Sequence, residues 1–154
     1  MAVYRIYEKL TLPAAQDEAW DYISRPENLK EITPSYMGFV ITTPNLPEVM
    51  YPGMIISYRV TPLWGIRMTW VTEITHVEEK RYFVDEQRIG PYAMWHHEHH
   101  LEPAAEGVTM TDIVTYKLPF GPLGNLMHLI FVKRQLRKIF AFRKEVLEKK
   151  FGKA

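Results

Sequence analysis

Cysteine is absent from the 154 residues. The chain therefore has no disulfide framework, no thiol nucleophile and no Cys-based zinc site, which fits a reducing compartment. No apolar run approaches the ~18 residues of a membrane-spanning helix. The N-terminal MAVYRIYEKL lacks the apolar core and small-residue cleavage site of a secretory signal, so a cytoplasmic protein is expected. Internal repeats and low-complexity tracts are missing. So are the Walker, dinucleotide-binding, nucleophile-elbow and HExxH patterns. The GPLG at 121–124 is a turn into a helix and too short for a phosphate cradle. There is little net charge, with 19 Lys/Arg against 18 Asp/Glu. Apolar residues at 47% and charged residues at 24% exclude disordered, collagenous and coiled-coil chains.

What charge there is lies unevenly. Residues 125–154 carry nine Lys/Arg and two Asp/Glu, a net +7, and the remainder carries −6. Two readings stand for the basic end: the solvated face of a helix, or a surface that meets anionic lipid, nucleic acid or an acidic partner.

The length favours one domain, 1–154. Residues 3–12 alternate and predict a strand ended by Pro13. AAQDEAWDYIS predicts a short helix. Ser24 and Glu27 have capping-box spacing before a second one, PENLKEI. Period-two segments follow: MGFVITT, MIISYRV, IRMTWVTEITHV, RYFVDEQRI, YAMWHHEHHLEP and VTMTDIVTYKLP. Short polar or Gly/Pro turns separate most of them, which predicts an antiparallel meander. After Pro119-Phe120-Gly121-Pro122, residues 123–150 hold no proline. Leu126, Leu129, Ile130, Leu136, Ile139, Phe140, Val146 and Leu147 form a helical stripe with basic residues mainly between them. The predicted class is α+β, a curved antiparallel sheet wrapped around a long C-terminal helix, with two short helices after the first strand.

Three stretches, ISRPENLKEITP, FVDEQRIGPYAMWHHEHHLEP and MTDIVTYKLPFGPLG, occur in the order found in a known group. On them the chain resembles the START-like helix-grip (SRPBCC) superfamily, and within it a small bacterial polyketide cyclase/dehydrase-like subgroup. That resemblance implies an apolar cavity between sheet and long helix, holding a small or elongated apolar ligand. It does not choose among carriers, receptors and cyclases, since one fold hosts many functions.

Alternation sorts the strands into faces. The inward sets are Met68, Trp70, Thr72 and Ile74; Phe83, Asp85, Gln87 and Ile89; Trp95, His97, His99 and Leu101; and Met110, Asp112, Val114, Tyr116 and Leu118. Closing the two turns in the simplest register pairs His97 with Asp85, Trp95 with Gln87, and His99 with Asp112. Two His–Asp pairs then lie side by side on an apolar wall, with Gln87 near. Buried Asp must be paired, and imidazole supplies a donor. The cluster can be a satisfied network fixing register, a group orienting a ligand's oxygen, or an acid/base pair with His97, His99 and Asp112 as catalytic candidates.

The run His96-His97-Glu98-His99-His100 invites a metal reading, but no second Cys/His cluster closes a shell. No native metal or cofactor is expected, and adventitious binding by His96, Glu98 and His100 is favoured over it. Tyr58, Met68, Trp70, Trp95 and Tyr116 join Asp85, Gln87, His97, His99 and Asp112 as the expected ligand-binding set. The loop 44–53 and the turn 62–65 predict a rim, in which Met50, Tyr51, Leu63 and Trp64 form a lid or membrane-touching edge or pack on 126–132. The expected partner is a small apolar molecule. Nucleic acid is not expected, and the basic helix leaves room for transient contact with a membrane surface. The expected function is hydrophobic ligand binding, with a cyclase/dehydrase-type enzyme in the same pocket as the alternative.

Overall fold

The computed structural model describes residues 2–63 and 65–154. β1 (Tyr4–Leu12) leads into α1 (Gln16–Ile23) and two 3-10 turns, Pro26–Lys30 and Ser35–Met37. Then come β2 (Val40–Ile41), β3 (Met54–Leu63), β4 (Ile66–Glu78), β5 (Tyr82–Ile89), β6 (Met94–Ala104) and β7 (Gly107–Lys117). The chain ends in α2 (Gly121–Met127), a π-helical turn (His128–Val132) and α3 (Lys133–Phe151), which run on as one rod. The seven strands form one antiparallel sheet in the order β1-β7-β6-β5-β4-β3-β2. This is the expected helix-grip architecture: a sheet grips a long C-terminal helix.

Several local expectations are corrected. MGFVITT yields only the two-residue β2, because Ser35–Met37 turns and Gly38 takes a left-handed φ of 55°. Arg25, not Ser24, precedes the first 3-10 turn, and no side chain caps it. The inward face of β5 ends at Gln87. Gln87 opposes Thr72 but Ile89 opposes Val71, so Arg88 is an extra residue on β5, and the bulge turns Ile89 outward into solvent.

The helix stripe is also rearranged. Leu126, Leu129 and Ile130 are exposed, while Gly124, His128, Val132, Leu136, Phe140, Arg143 and Leu147 are buried. Repeated four-residue steps drift by about 40° each at about 3.6 residues per turn. The wider π turn takes up part of that drift and keeps one line facing the sheet. Two residues anchor this line. A Cβ on Gly124 would lie 2.0 Å from the Pro119 carbonyl oxygen, so only glycine allows the approach. His128 stacks on Tyr4 at 3.4 Å and shares a 2.9 Å hydrogen bond with the Tyr116 hydroxyl.

The core has two parts. One gathers Leu12, Trp20, Met54, Ile74, Leu101, Met110 and Leu147 around α1. The other gathers Val114, Tyr116, Val132, Leu136 and Phe140. Three of the elements that cross from one part to the other carry buried polar residues at the crossing. β7 passes from Met110 through Asp112 to Val114. β6 passes from Leu101 through His99 and His97 to Trp95, and the helix passes from Leu147 through Arg143 to Phe140.

Candidate functional site

Those interruptions meet. The register pairs Asp85 with His97 and His99 with Asp112, as the alternation predicts. The side-chain contacts run diagonally as well as straight across. His97 Nε2–H donates to Asp112 Oδ1 at 3.1 Å, and His99 Nε2–H donates to Asp85 Oδ2 at 2.7 Å. His99 Nδ1 lies 2.9 Å from Asp112, and His97 Nδ1 lies 3.5 Å from Asp85. The two imidazoles overlap at 3.7 Å between centroids. Phe83 stacks on His99 at 4.1 Å and Phe140 meets His97 edge-on.

Arg143 completes the set. It is buried, and its Nη2 sits 3.2 Å from Asp112 Oδ1 and 3.3 Å from His99 Nδ1. Sequence reasoning treated it as one of the basic residues between apolar positions. Its spacing held the signal: Leu136, Phe140, Arg143 and Leu147 step by four, three and four, so Arg143 fills a slot on the buried line.

The electrostatics follow from burial and pairing. Burial works against ionised Asp112, but the Arg143 guanidinium and the two histidines hold its carboxyl well below the usual range. Asp85 is likewise lowered: burial opposes, and His97, His99 and Arg143 outweigh it. Burial would lower His99, yet its contacts to Asp112 and Asp85 win and raise it. Burial and the neighbouring His99 lower His97. Of the two imidazoles, His99 is thus the one that holds a proton more readily. A proton on His99 would balance the two carboxylates against the guanidinium and the imidazolium, and such balance favours burying the group.

Signs follow for pH. The lowered carboxylates contribute stability above their ordinary pKa of about 4, and it is lost as pH falls below that. His99 contributes below about 6.5 and loses that as pH rises through its folded value, whereas His97 contributes above about 6.5 and loses it as pH falls. The two windows meet near about 6.5, where both contributions are present, and acid removes the His97 part and then the carboxylate part. In an NMR titration, one buried imidazole is expected to titrate above the ordinary histidine value and its stacked neighbour below it. Two ordinary titrations would contradict the network.

A cavity of about 160 Å³ opens beside this group, between sheet and helix. Asp85, His97, His99 and Arg143 line one side of it. Tyr58, Trp70, Tyr92 and Trp95 line another; Trp70 meets Trp95 and Tyr92 edge to face at 5.4 and 5.6 Å between centroids and stacks on Tyr58 at 6.1 Å. Trp70 Nε1–H donates to Thr72 Oγ1, which also bonds the Tyr58 hydroxyl at 2.7 Å, so these three side chains spend their polar atoms on one another. Burial raises the hydroxyl pKa of both Tyr58 and Tyr92.

Six of the ten residues expected around a ligand therefore line the cavity: Tyr58, Trp70, Asp85, Trp95, His97 and His99. Asp112 stands behind the histidines and orients them. Gln87 does not join the cluster; its amide clasps the backbone N–H and C=O of Tyr92 across the Gly90-Pro91 turn. Tyr116 turns toward His128, and burial pushes its hydroxyl up to about 12. Met68 is half-buried opposite Val60, away from the cavity. Met50 is buried in the cavity wall rather than exposed on a rim, whereas Tyr51 is exposed. Trp64 and the Leu63 side chain lie outside the described residues. Tyr92 was missed because it follows Gly90-Pro91, where alternation gives no facing.

Asp85, His97 and His99 present ligand atoms within 4.8 Å of one another and could hold a divalent cation if His99 gave up its proton. On the outer face, His96 bonds Glu86 at 2.8 Å and His100 bonds Glu98 at 3.0 Å.

Comparison with known proteins bears on this geometry. TTHA0849 from Thermus thermophilus is similar over 97% of each chain, at 15% identity and a TM-score of 0.69. Ara h 8.0201 is similar over 96% of this chain and 99% of its own, at 17% identity and a TM-score of 0.62. The di-domain ARO/CYC StfQ of the steffimycin biosynthetic pathway matches 97% of this chain and 52% of its own length, at 15% identity and a TM-score of 0.66. These likenesses show the fold. No curated protein sequence matches the chain. Residues 12–142 match the family model described as polyketide cyclase / dehydrase and lipid transport, and the chain belongs to that family.

Proposed function

We propose that the chain, 1–154, acts as one cytoplasmic START-like domain that binds a small hydrophobic ligand bearing an oxygen function. Its class is lipid, isoprenoid, quinone or polyketide-like. One observation carries this reading: an aromatic cavity has a buried corner of paired acidic and basic side chains, Asp85, His97, His99 and Arg143. Membership in a polyketide cyclase/dehydrase and lipid transport family supports a hydrophobic ligand in general. A dry cavity of about 150 Å³ holds one benzene ring. The volume here suits a ring-sized head group against His97 and His99, while half-buried Phe39, Pro62, Gln135 and Ile139 form the more open side. The same reading gives the basic helix transient contact with a membrane surface and no role with nucleic acid.

A cyclase/dehydrase-type enzyme is the second reading, favoured by His97. Its Nε2–H is fixed by Asp112, and no donor reaches Nδ1 among the described residues, the arrangement of an oriented general base. Titration with naphthol, read by quenching of cavity Trp70 and Trp95, is expected to saturate, and purified protein is expected to yield a bound apolar molecule on organic extraction. Absence of both would overturn the ligand reading. His97→Gln separates the two roles. A binder loses about tenfold in affinity or less, the cost of one hydrogen bond. An enzyme loses about 10²–10⁴ in turnover of the extracted molecule.

A further inference from the structure

We propose, on the reading that the chain exchanges an apolar ligand at a membrane, that residues 120–138 dock on an anionic lipid bilayer. Phe120, Leu123, Leu126, Leu129 and Ile130 are each between 51% and 79% exposed. Single exposed apolar residues are ordinary, but five within eleven positions form a patch that calls for a partner. The core does not use them, because the opposite line of Gly124, His128 and Val132 already faces the sheet.

Charge selects the partner. The exposed Lys133, Arg134, Arg137 and Lys138 follow on the next turns, and among the described residues no carboxylate pairs with any of them. No Asp or Glu occurs from 113 to 144. Apolar side chains beside a purely basic stretch are the signature of a helix lying in an anionic interface. A second copy docked across a two-fold axis would bring like charges together. Nucleic acid would leave the five apolar side chains without a role. Geometry also links this surface to the cavity, since Gln135, Leu136 and Ile139 line it within three turns of Ile130. Docking sets the cavity's helical wall beside the lipid.

Flotation with vesicles of three parts phosphatidylcholine to one part phosphatidylserine tests this. The protein is expected to float with them at low salt, to bind pure phosphatidylcholine at least tenfold less, and to be released at high salt. Leu126→Asp with Leu129→Asp should abolish flotation. Lys133→Gln and Arg137→Gln should each cost about fivefold. These side chains are exposed, so melting temperature and naphthol quenching should stay as in the parent. Failure of the parent to float, equal binding to both vesicles, or a dimer that Leu126→Asp with Leu129→Asp dissociates would overturn the proposal. Flotation without naphthol binding would instead retain the docking surface and remove the cavity reading.

Discussion

Replacing Arg143 by methionine is expected to destabilise the protein by about 3–5 kcal/mol at neutral pH, as measured by urea unfolding. Methionine keeps much of the side chain's apolar volume, so the loss is not chiefly one of packing. It arises because Asp112 and Asp85 remain buried with only the two imidazoles to compensate them. Asp112 depends most on the guanidinium, the first of the influences that overcome its burial. Without it, that carboxyl moves back up and takes a proton more readily. The deficit should therefore shrink as pH falls toward about 4, the ordinary carboxylate value. Arg143→Lys keeps a charge but one point of contact, and should lose less. Arg143→Met combined with Asp112→Asn removes the uncompensated pair and should recover most of the loss. A single substitution costing under about 1 kcal/mol would mean the guanidinium is screened by water and the network is not closed.

Arg143 also marks where the sequence stops being legible. The sheet was readable because period-two alternation and short turns agree with each other, and the register that pairs His99 with Asp112 keeps both apolar faces together. The helix was harder. Its apolar residues fall on two lines, and composition favoured the one through Leu126 and Ile130 over the one through Gly124, His128 and Arg143. A residue-by-residue hydrophobicity count cannot see that glycine marks a close approach at Pro119, or that His128 stacks on Tyr4 at the far end of the chain. The π turn added a phase shift that a strict period of about 3.6 does not contain. Bulges did the same to β5, where one extra residue, Arg88, turned Ile89 outward.

The candidate site divides along the same boundary. Asp85, His97 and His99 were brought together by strand pairing alone, which is local in the sheet. Tyr116 and Gln87 shared the correct face but not the cavity, because each found a nearer partner: His128 for one, the Tyr92 backbone for the other. Facing is a property of the strand, whereas lining depends on what fills the adjacent space. Small Thr72 and Val60 line that space beside the larger Trp70 and Tyr58.

Filling that space should abolish ligand binding while leaving the fold intact. Val60 is buried, lines the cavity and lies on β3, where an aromatic residue suits the pleated backbone. Val60→Phe places a ring into about 160 Å³ of free volume, with no new polar group to satisfy. Naphthol affinity is expected to fall by about tenfold to a hundredfold, since the ring competes with the ligand for the same contacts at about 1.5–3 kcal/mol per buried apolar side chain. Melting temperature should hold or rise, because a void is exchanged for dispersion contacts. Ile139→Phe approaches the same volume from the helix and should act alike, which separates occlusion from strand distortion. If both variants bind naphthol as the parent does, the cavity is not where the probe sits. If both lose binding and stability together, the free volume is already spoken for by packing. The expected pattern, affinity lost and stability kept, follows from an unfilled pocket in which the probe and the new ring compete for one space.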